Sequence, residues 1–208
     1  MKKILVIGAT GQIGSALMTK LRKEYGTDNV VAGYIEGVPL SDELKNGGPL
    51  EIADVTNAQQ IAAIIDKYKI DSIYNLAAIL SAQAEKRPLL AWNIQIGGVL
   101  NLLEISREKG CSLFTPSSIG AFGDSSPKMK TPQETIQRPR TIYGVSKVSC
   151  ELLSDYYFYR YGVDTRSVRF PGLISYETLP GGGTTDYATP PSRARSSRFR
   201  SRRGHSWI

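Results

Sequence analysis

A tyrosine and a lysine four positions apart, Tyr143 and Lys147, open a stretch with helical character. A spacing of four places a phenol and an ammonium on one face of a helix. An unperturbed tyrosine, with a pKa of about 10, is a poor base at neutral pH. A neighbouring ammonium favours the phenolate and lowers that pKa toward the working range. The pair predicts proton transfer from an alcohol, with Tyr143 as the base.

Three glycines near the N-terminus suggest a binding site for a dinucleotide. Gly8, Gly11 and Gly14 directly follow an apolar run and precede a helical pattern. Glycine permits a tight turn and lets the backbone approach a pyrophosphate closely, and a helix N-terminus points its free N–H groups at the phosphates. The strand, turn and helix in this order predict a phosphate cradle.

Composition excludes several other kinds of chemistry. The single histidine, His205, lies near the C-terminus, and Cys111 and Cys150 lack metal-ligand spacing, so no metal site is expected. The apolar start stops at Gly8, too short for a signal peptide, and no apolar run approaches the ~20 residues of a membrane span. We therefore expect a cytoplasmic protein without a membrane segment.

The net charge of +7 is concentrated at the C-terminal end. Residues 189–208 contain six arginines and no acid, which leaves 20 basic residues (26 − 6) against all 19 acidic ones in 1–188. The nearly neutral body gives no reason to expect nucleic-acid binding, except through the basic tail.

Hydrophobic periodicity predicts the elements that must position these residues. Short apolar strands are expected at 3–7, 29–35, 72–77, 113–115 and 164–170. Helical patterns lie between them: Ile13, Leu17 and Leu21 form one face, 56–59 reads as a capping box, 88–103 continues a long buried helix, and 143–161 ends at Gly162. Alternating strands and helices predict an α/β fold with a doubly wound parallel sheet.

The Gly-x-x-Gly-x-x-Gly spacing, with Asp54-Val55 and Asn75-Leu-Ala-Ala78 later in the chain, resembles the extended short-chain dehydrogenase/reductase superfamily. That resemblance implies a Rossmann fold and a third catalytic group at Ser118, beside Tyr143 and Lys147. It also implies a set of cofactor contacts: Gly8, Thr10, Gly11, Gln12, Ile13, Gly14, Tyr34, Asp54, Val55, Leu76, Ala77, Ala78, Tyr143, Lys147 and Pro171.

One position departs from the superfamily pattern. An acidic residue usually ends the second strand and holds the adenosine ribose, but Tyr34 stands there, and Glu36 takes the role only if the strand shifts. No Arg or Lys is nearby to hold a 2′-phosphate, so NAD is expected rather than NADP.

Several stretches are similar to the short-chain-type L-threonine 3-dehydrogenases, a family within that superfamily: 77–85, 116–123, 156–157, 161–164, 169–175 and 180–188. This resemblance implies NAD-dependent oxidation of the L-threonine β-hydroxyl to 2-amino-3-ketobutyrate. It implies substrate contacts from Ser81, Ser118, Tyr143, Thr184 and Asp186, with Asp186 accepting from the ammonium. It also implies a homodimer through helices near 88–109 and 143–161.

The resemblance stops after Ala188. We expect an NAD-binding domain over 1–188 and an Arg/Ser-rich tail over 189–208, with the small C-terminal substrate domain of the family absent or truncated and activity correspondingly weak. A frameshift, a truncation or a cloning junction explains the tail, and a basic segment that binds polyanions is the alternative. The alternative functions are a nucleotide-sugar epimerase or dehydratase and a non-catalytic NAD-binding fragment.

Overall fold

The computed structural model describes residues 2–173 of the chain, and a parallel sheet of six strands forms its centre. The strand order is β3-β2-β1-β4-β5-β7, so the direction in which successive strands are added reverses beside β1. A separate pair, β6 with β8, is also parallel. The strands are β1 (Ile4–Ile7), β2 (Val30–Tyr34), β3 (Leu50–Ile52), β4 (Ser72–Asn75), β5 (Ser112–Phe114), β6 (Ser117–Ser118), β7 (Thr165–Arg166) and β8 (Arg169–Phe170).

Helices cover both faces of the six-stranded sheet. They are α1 (Gln12–Tyr25), α2 (Asp42–Asn46), α3 (Ala58–Tyr68), α4 (Ser81–Lys86), α5 (Pro88–Trp92), α6 (Gly98–Lys109) and α7 (Ile142–Tyr161). Strand β1 is buried on both sides because its side chains alternate between two cores. Ile4 and Val6 pack with Met18 of α1. Leu5 and Ile7 belong to the core that contains residues of α3, α6 and α7. The predicted doubly wound parallel sheet is confirmed.

Local sequence signals place most helix ends. Thr141 caps α7, since its side chain accepts a hydrogen bond from the Gly144 amide, and Gly162 ends that helix in the left-handed conformation with φ 71°. The capping box predicted at 56–59 is one residue out of register. Asn57 is the cap of α3, and Thr56 instead bonds to the Asp54 carboxylate.

Two predicted elements are interrupted in the structure. The strand expected at 164–170 is divided, because β7 pairs with β5 whereas β8 pairs with β6. The long helix expected from 88 contains a π-helical turn, Asn93–Gly97, between α5 and α6. Its first residues are not buried as expected, since Leu89 is 86% exposed.

The helical stretch Pro88–Lys109 is long and apolar enough, by length and composition alone, to cross a membrane, which the sequence analysis did not expect. Half of that stretch is buried inside the protein. Leu102 and Leu103 lie in the core between the sheet and α7. Core helices of this kind pass the same test, so the stretch is weak evidence for a membrane segment.

Candidate active site and cofactor cradle

The glycine turn after β1 is fixed to the neighbouring strand and leaves a helix terminus open. The amides of Gly8 and Ala9 both donate to the Gly33 carbonyl of β2, at 3.1 and 3.0 Å. Gly11 stands at the N-cap of α1 and provides no side-chain cap. The first amides of a helix have no partner within it, so the first turn of α1 presents free N–H donors at the carboxyl edge of the sheet.

Close backbone packing explains why glycine is needed in this turn. Gly8 has φ +81°, and a Cβ there would lie 2.9 Å from the Leu76 carbonyl carbon. A Cβ on Gly14 would overlap the Gly8 carbonyl oxygen. Gly11 differs, because its Cβ would meet the Gly8 carbonyl oxygen at 3.3 Å and no other atom within 4 Å. The cradle therefore fits a pyrophosphate over Gly11, while Gly8 and Gly14 hold its shape.

A pocket connects the segment after β4 with the catalytic helix. The predicted contacts Leu76, Ala77 and Ala78 line it together with Lys147 of α7. The remaining lining residues come from the end of β4, the turn before α6, the start of α6, the segment after β5, and α7: Asn75, Gln95, Val99, Thr115, Pro116 and Cys150. The structure thus brings residues that are far apart in sequence to one end of the sheet.

The predicted adenine-binding segment follows β3. Asp54 is half-buried, and its carboxylate accepts hydrogen bonds from the amide and hydroxyl of Thr56 at 2.8 and 2.7 Å. The Val55 carbonyl accepts from Asn101 of α6 at 2.9 Å. Tyr34 ends β2 opposite Ile52, half-buried, so the position expected of the acidic clamp holds a phenol.

Ser118 and Tyr143 are brought together by β6 and the first turn of α7. The Tyr143 ring and the Ser118 hydroxyl both lie beside Gly120, and the Ser118 hydroxyl oxygen accepts from the Gly120 amide at 3.1 Å. A Cβ on Gly120 would lie 3.3 Å from the Tyr143 ring, so the turn after Ser118 packs directly on the phenol. Glu85 of α4 accepts from the Ile142 amide at 2.8 Å and so joins α4 to the start of α7.

Lys147 is buried one helical turn after Tyr143. Its Nζ donates to the Pro116 carbonyl at 2.8 Å and lies 5.5 Å from the centroid of the Tyr143 ring. Burial lowers the pKa of Lys147, against the opposing effect of Cys150 and Glu151. Burial also raises the pKa of Tyr143, and interaction with Ser118 opposes that rise. The expected lowering of the Tyr143 pKa is therefore wrong for this structure, because desolvation of the phenol is the dominant effect.

The other predicted contacts fall into two groups. Ser81, half-buried, is the first residue of α4, the helix that bonds to the start of α7. Pro171 directly follows Phe170, which pairs with Ser118 across β6 and β8. Thr184 and Asp186 lie outside the described residues, as does the predicted boundary at 188.

Sequence reasoning missed two polar residues of the pocket. Gln95 is 3% exposed on the π-helical turn, and its amide nitrogen donates to Ser146, whose hydroxyl donates to the Tyr143 carbonyl at 2.7 Å. In residues 2–173, the Gln95 Oε1 and Thr115 Oγ1 atoms are buried without a hydrogen-bond partner. The π-helical turn, which aims Gln95 into the pocket, has no simple sequence signal. Residues 2–173 also contain no cluster of three or more His, Cys, Asp or Glu that could hold a metal.

Comparison with known proteins agrees with this arrangement. The model of the NAD dependent epimerase/dehydratase family matches residues 4–190. An L-threonine dehydrogenase structure from Clostridium difficile is 58% identical, with a TM-score of 0.87 over 91% of this chain and 59% of its own. A GalE-like L-threonine dehydrogenase from Cupriavidus necator, in its holo form, is 45% identical, with a TM-score of 0.85 over 90% of this chain and 60% of its own.

A curated relative, an uncharacterized epimerase/dehydratase from Staphylococcus haemolyticus, is 57% identical over 188 residues, which are 90% of this chain and 59% of the relative. The chain thus spans about three fifths of the length of such proteins. The glycine turn, the uncapped helix terminus and the lysine-lined pocket fit NAD, the cofactor of the matched family. The chain belongs to the NAD dependent epimerase/dehydratase family.

Proposed function

We propose that the chain takes part in NAD-dependent oxidation of the β-hydroxyl of L-threonine to 2-amino-3-ketobutyrate. The observation that supports this substrate is the likeness, at 40–58% identity, to solved structures named as L-threonine dehydrogenases. The pairing of Ser118 with Tyr143 beside the pocket that holds Lys147 supports the reaction type.

The cofactor is proposed to lie across the carboxyl edge of the sheet. The first-turn amides of α1 donate to the pyrophosphate, and Asp54 faces the adenine end. Lys147 would hold the nicotinamide ribose, and the buried oxygens of Gln95 and Thr115, which have no partner among the described residues, are candidate acceptors for its hydroxyls. When bound, NAD supplies the acceptor for a hydride from the substrate carbon.

The chain's own residues handle the proton and the charge. Ser118 donates a hydrogen bond to the reacting oxygen, and Tyr143 takes the proton of the alcohol. The Lys147 ammonium, 5.5 Å from the ring centroid, favours the phenolate that this transfer requires. Burial of the pair excludes water from the site, although it also raises the pKa of Tyr143.

A zwitterionic amino acid needs donors for its carboxylate and an acceptor for its ammonium. Ser81 and Thr184 are proposed as the donors, and Asp186 as the acceptor. Residues 1–188 are proposed as the NAD-binding unit, with 189–208 as a separate tail; the family match over 4–190 supports that extent.

Absorbance at 340 nm with purified chain, NAD and L-threonine tests the proposal. We expect slow NADH formation with L-threonine and none with D-threonine or a UDP-hexose. A chimera in which 1–188 replaces the matched part of the Clostridium difficile relative tests the same residues at the relatives' full length. Activity of that chimera on UDP-hexoses, with none on L-threonine, would contradict the proposed substrate.

A further inference from the structure

A buried ion pair lies one helical turn beyond Lys147. Glu151 of α7 accepts two hydrogen bonds from Arg169 of β8, at 2.9 Å from Nε and 2.7 Å from a terminal nitrogen. The two side chains are 13% and 19% exposed. Two parallel bonds from a planar guanidinium to a carboxylate fix both groups in orientation as well as in distance.

The same pair also contacts two other segments, strand β6 and the 122–141 loop. Ser117, the neighbour of Ser118 on β6, donates its hydroxyl to Glu151. Gln137 of the loop before α7 donates to the other carboxylate oxygen at 3.0 Å. Arg169 donates to the Gln133 carbonyl at 2.8 Å. The Glu151 carboxylate therefore joins four segments: helix α7, strands β6 and β8, and the 122–141 loop.

Glu151 is also the acidic group that faces Lys147. The two lie at positions i and i+4 of α7, which places them on one face. The titratable or charged groups around the Lys147 ammonium are Tyr143, Cys150 and Glu151, with Arg169 behind Glu151. Glu151 raises the pKa of Lys147 against the larger effect of burial.

We propose that Glu151, oriented by Arg169, is a positioning residue that holds the Ser117–Ser118 strand against α7 and places a carboxylate one helical turn from the buried Lys147 ammonium. Its value for turnover rests on the proposed dehydrogenase function, whereas its effect on the charge of Lys147 does not. Nothing in the ordinary chemistry of the Tyr143–Lys147 pair requires an acid at this position. It is needed because Lys147 is buried and its ammonium is costly without a compensating charge.

Two substitutions that break the same hydrogen bonds distinguish this role from a structural one. Glu151→Gln removes the negative charge and leaves Arg169 in place, so the pKa of Lys147 should fall. Arg169→Gln removes the positive charge and leaves the carboxylate, so the pKa of Lys147 should rise. The readout is a pH titration of the Lys147 side-chain ¹³Cε signal in the full chain without cofactor, assigned with Lys147→Arg.

A matched control uses another acid that bonds to α7. Glu104 of α6 accepts a hydrogen bond from Tyr157, which lies near the C-terminal end of α7, and another from Arg107 of α6 at 2.6 Å. Glu104→Gln should leave the Lys147 titration unchanged. Equal shifts of the same sign in Glu151→Gln and Arg169→Gln, or no shift in either, would overturn the proposal. If Glu151→Gln does not fold, the Arg169→Gln variant is the test. A rise in the Lys147 pKa in that variant supports the proposal, and no rise contradicts it.

Hydrogen exchange gives an independent test of the strand. The Ser117 amide donates to Val168 at 2.9 Å and the Gly120 amide to Ser118 at 3.1 Å. In Arg169→Gln these two amides should exchange at least about tenfold faster, while those of β1 stay protected. Turnover, measured separately, should show a lower kcat with little change in KM for NAD. If the unaltered chain does not oxidise threonine, the proposed function is contradicted. The Lys147 titration does not depend on turnover, so it still tests the role of Glu151.

Discussion

The phenol of Tyr143 is half-buried against Gly120, and burial and the neighbouring Ser118 shift its pKa in opposite directions. Burial raises its pKa, so the free site holds a protonated phenol at neutral pH. A base that must lose its proton first gives a rate that increases with pH. Interaction with Ser118 opposes the rise in the Tyr143 pKa.

Replacement of Tyr143 by phenylalanine removes the proton acceptor and keeps the ring on Gly120. We expect kcat for L-threonine to fall by about 10²–10⁴-fold, while the rise in Tm caused by NAD is retained. The residual rate should lose its increase with pH. Stopped assays at 340 nm and thermal melts with millimolar NAD measure the two effects, and near-normal turnover would rule out Tyr143 as the base.

The Glu151–Arg169 pair should make the free energy of unfolding depend on pH. Burial alone would raise the pKa of Glu151, but hydrogen bonds from Arg169, Ser117 and Gln137 bring it below its ordinary value. Because the pKa of Glu151 is lower in the folded than in the unfolded chain, its ionisation stabilises the fold at pH values above the unfolded-state pKa of about 4.3. That stabilisation is lost as the pH falls through the folded-state pKa.

Glu151→Gln should therefore lower the free energy of unfolding by about 3 kcal/mol at pH 7. The deficit relative to the unaltered chain should shrink once the pH falls below about 4. Urea unfolding at several pH values measures it, with Glu104→Gln as the comparison. A deficit independent of pH would show that the carboxylate charge contributes nothing.

In the turn between β1 and α1, Gly11 and Gly14 have different surroundings. Gly14 packs on the Gly8 carbonyl, whereas Gly11 is exposed and has φ −76°, a conformation open to any residue. Packing of the turn therefore depends on Gly14, whereas Gly11 is the position at which we expect the cofactor to need a glycine.

Gly11→Val should leave the Tm of the free chain nearly unchanged and abolish the increase in Tm caused by NAD, because the side chain occupies the space for the pyrophosphate. Gly14→Val should lower the Tm of the free chain itself, because its Cβ overlaps the backbone. Thermal melts with and without NAD compare both variants. An unchanged NAD response in Gly11→Val would place the pyrophosphate elsewhere.

At the scale of the whole molecule, α5, α6 and α7 expose a broad apolar surface. Leu152 of α7 is 61% exposed, and large apolar side chains accompany it along the same helices. They are Leu89, Trp92, Leu100, Val145, Tyr156 and Tyr159. Positions 145, 152, 156 and 159 recur on one face of α7. We propose that this surface is the interface of a homodimer, since apolar areas of this kind mark association sites.

Leu152→Glu should convert a dimer into a monomer, because a charge at the centre of an apolar interface is costly to bury. Sedimentation equilibrium over a range of protein concentrations measures the change. Ile136→Glu is the matched control, as Ile136 is 60% exposed on the loop before α7, away from this surface. A monomeric unaltered chain, or equal dissociation in both variants, would contradict the interface.

The sequence by itself determined the features that depend on neighbours along the chain. Apolar periodicity located the strands and helices, glycine spacing located the cradle after β1, and the four-residue spacing placed Tyr143 and Lys147 on one helix face. These signals are local, because backbone conformation and helix geometry act over a few residues. The N-cap of α3 was predicted at Thr56 but lies at Asn57. The error of one residue arose because both are polar side chains that can cap a helix.

Only the tertiary structure decided what depends on packing between distant segments. The 164–170 region is divided between two sheets because β5 and β6 each need a partner. Glu151 meets Arg169 and Ser117 across three elements. The pKa of Tyr143 rises where the sequence predicted a fall, since desolvation is set by the atoms that surround the phenol in space and has no signature in the spacing of Tyr143 and Lys147.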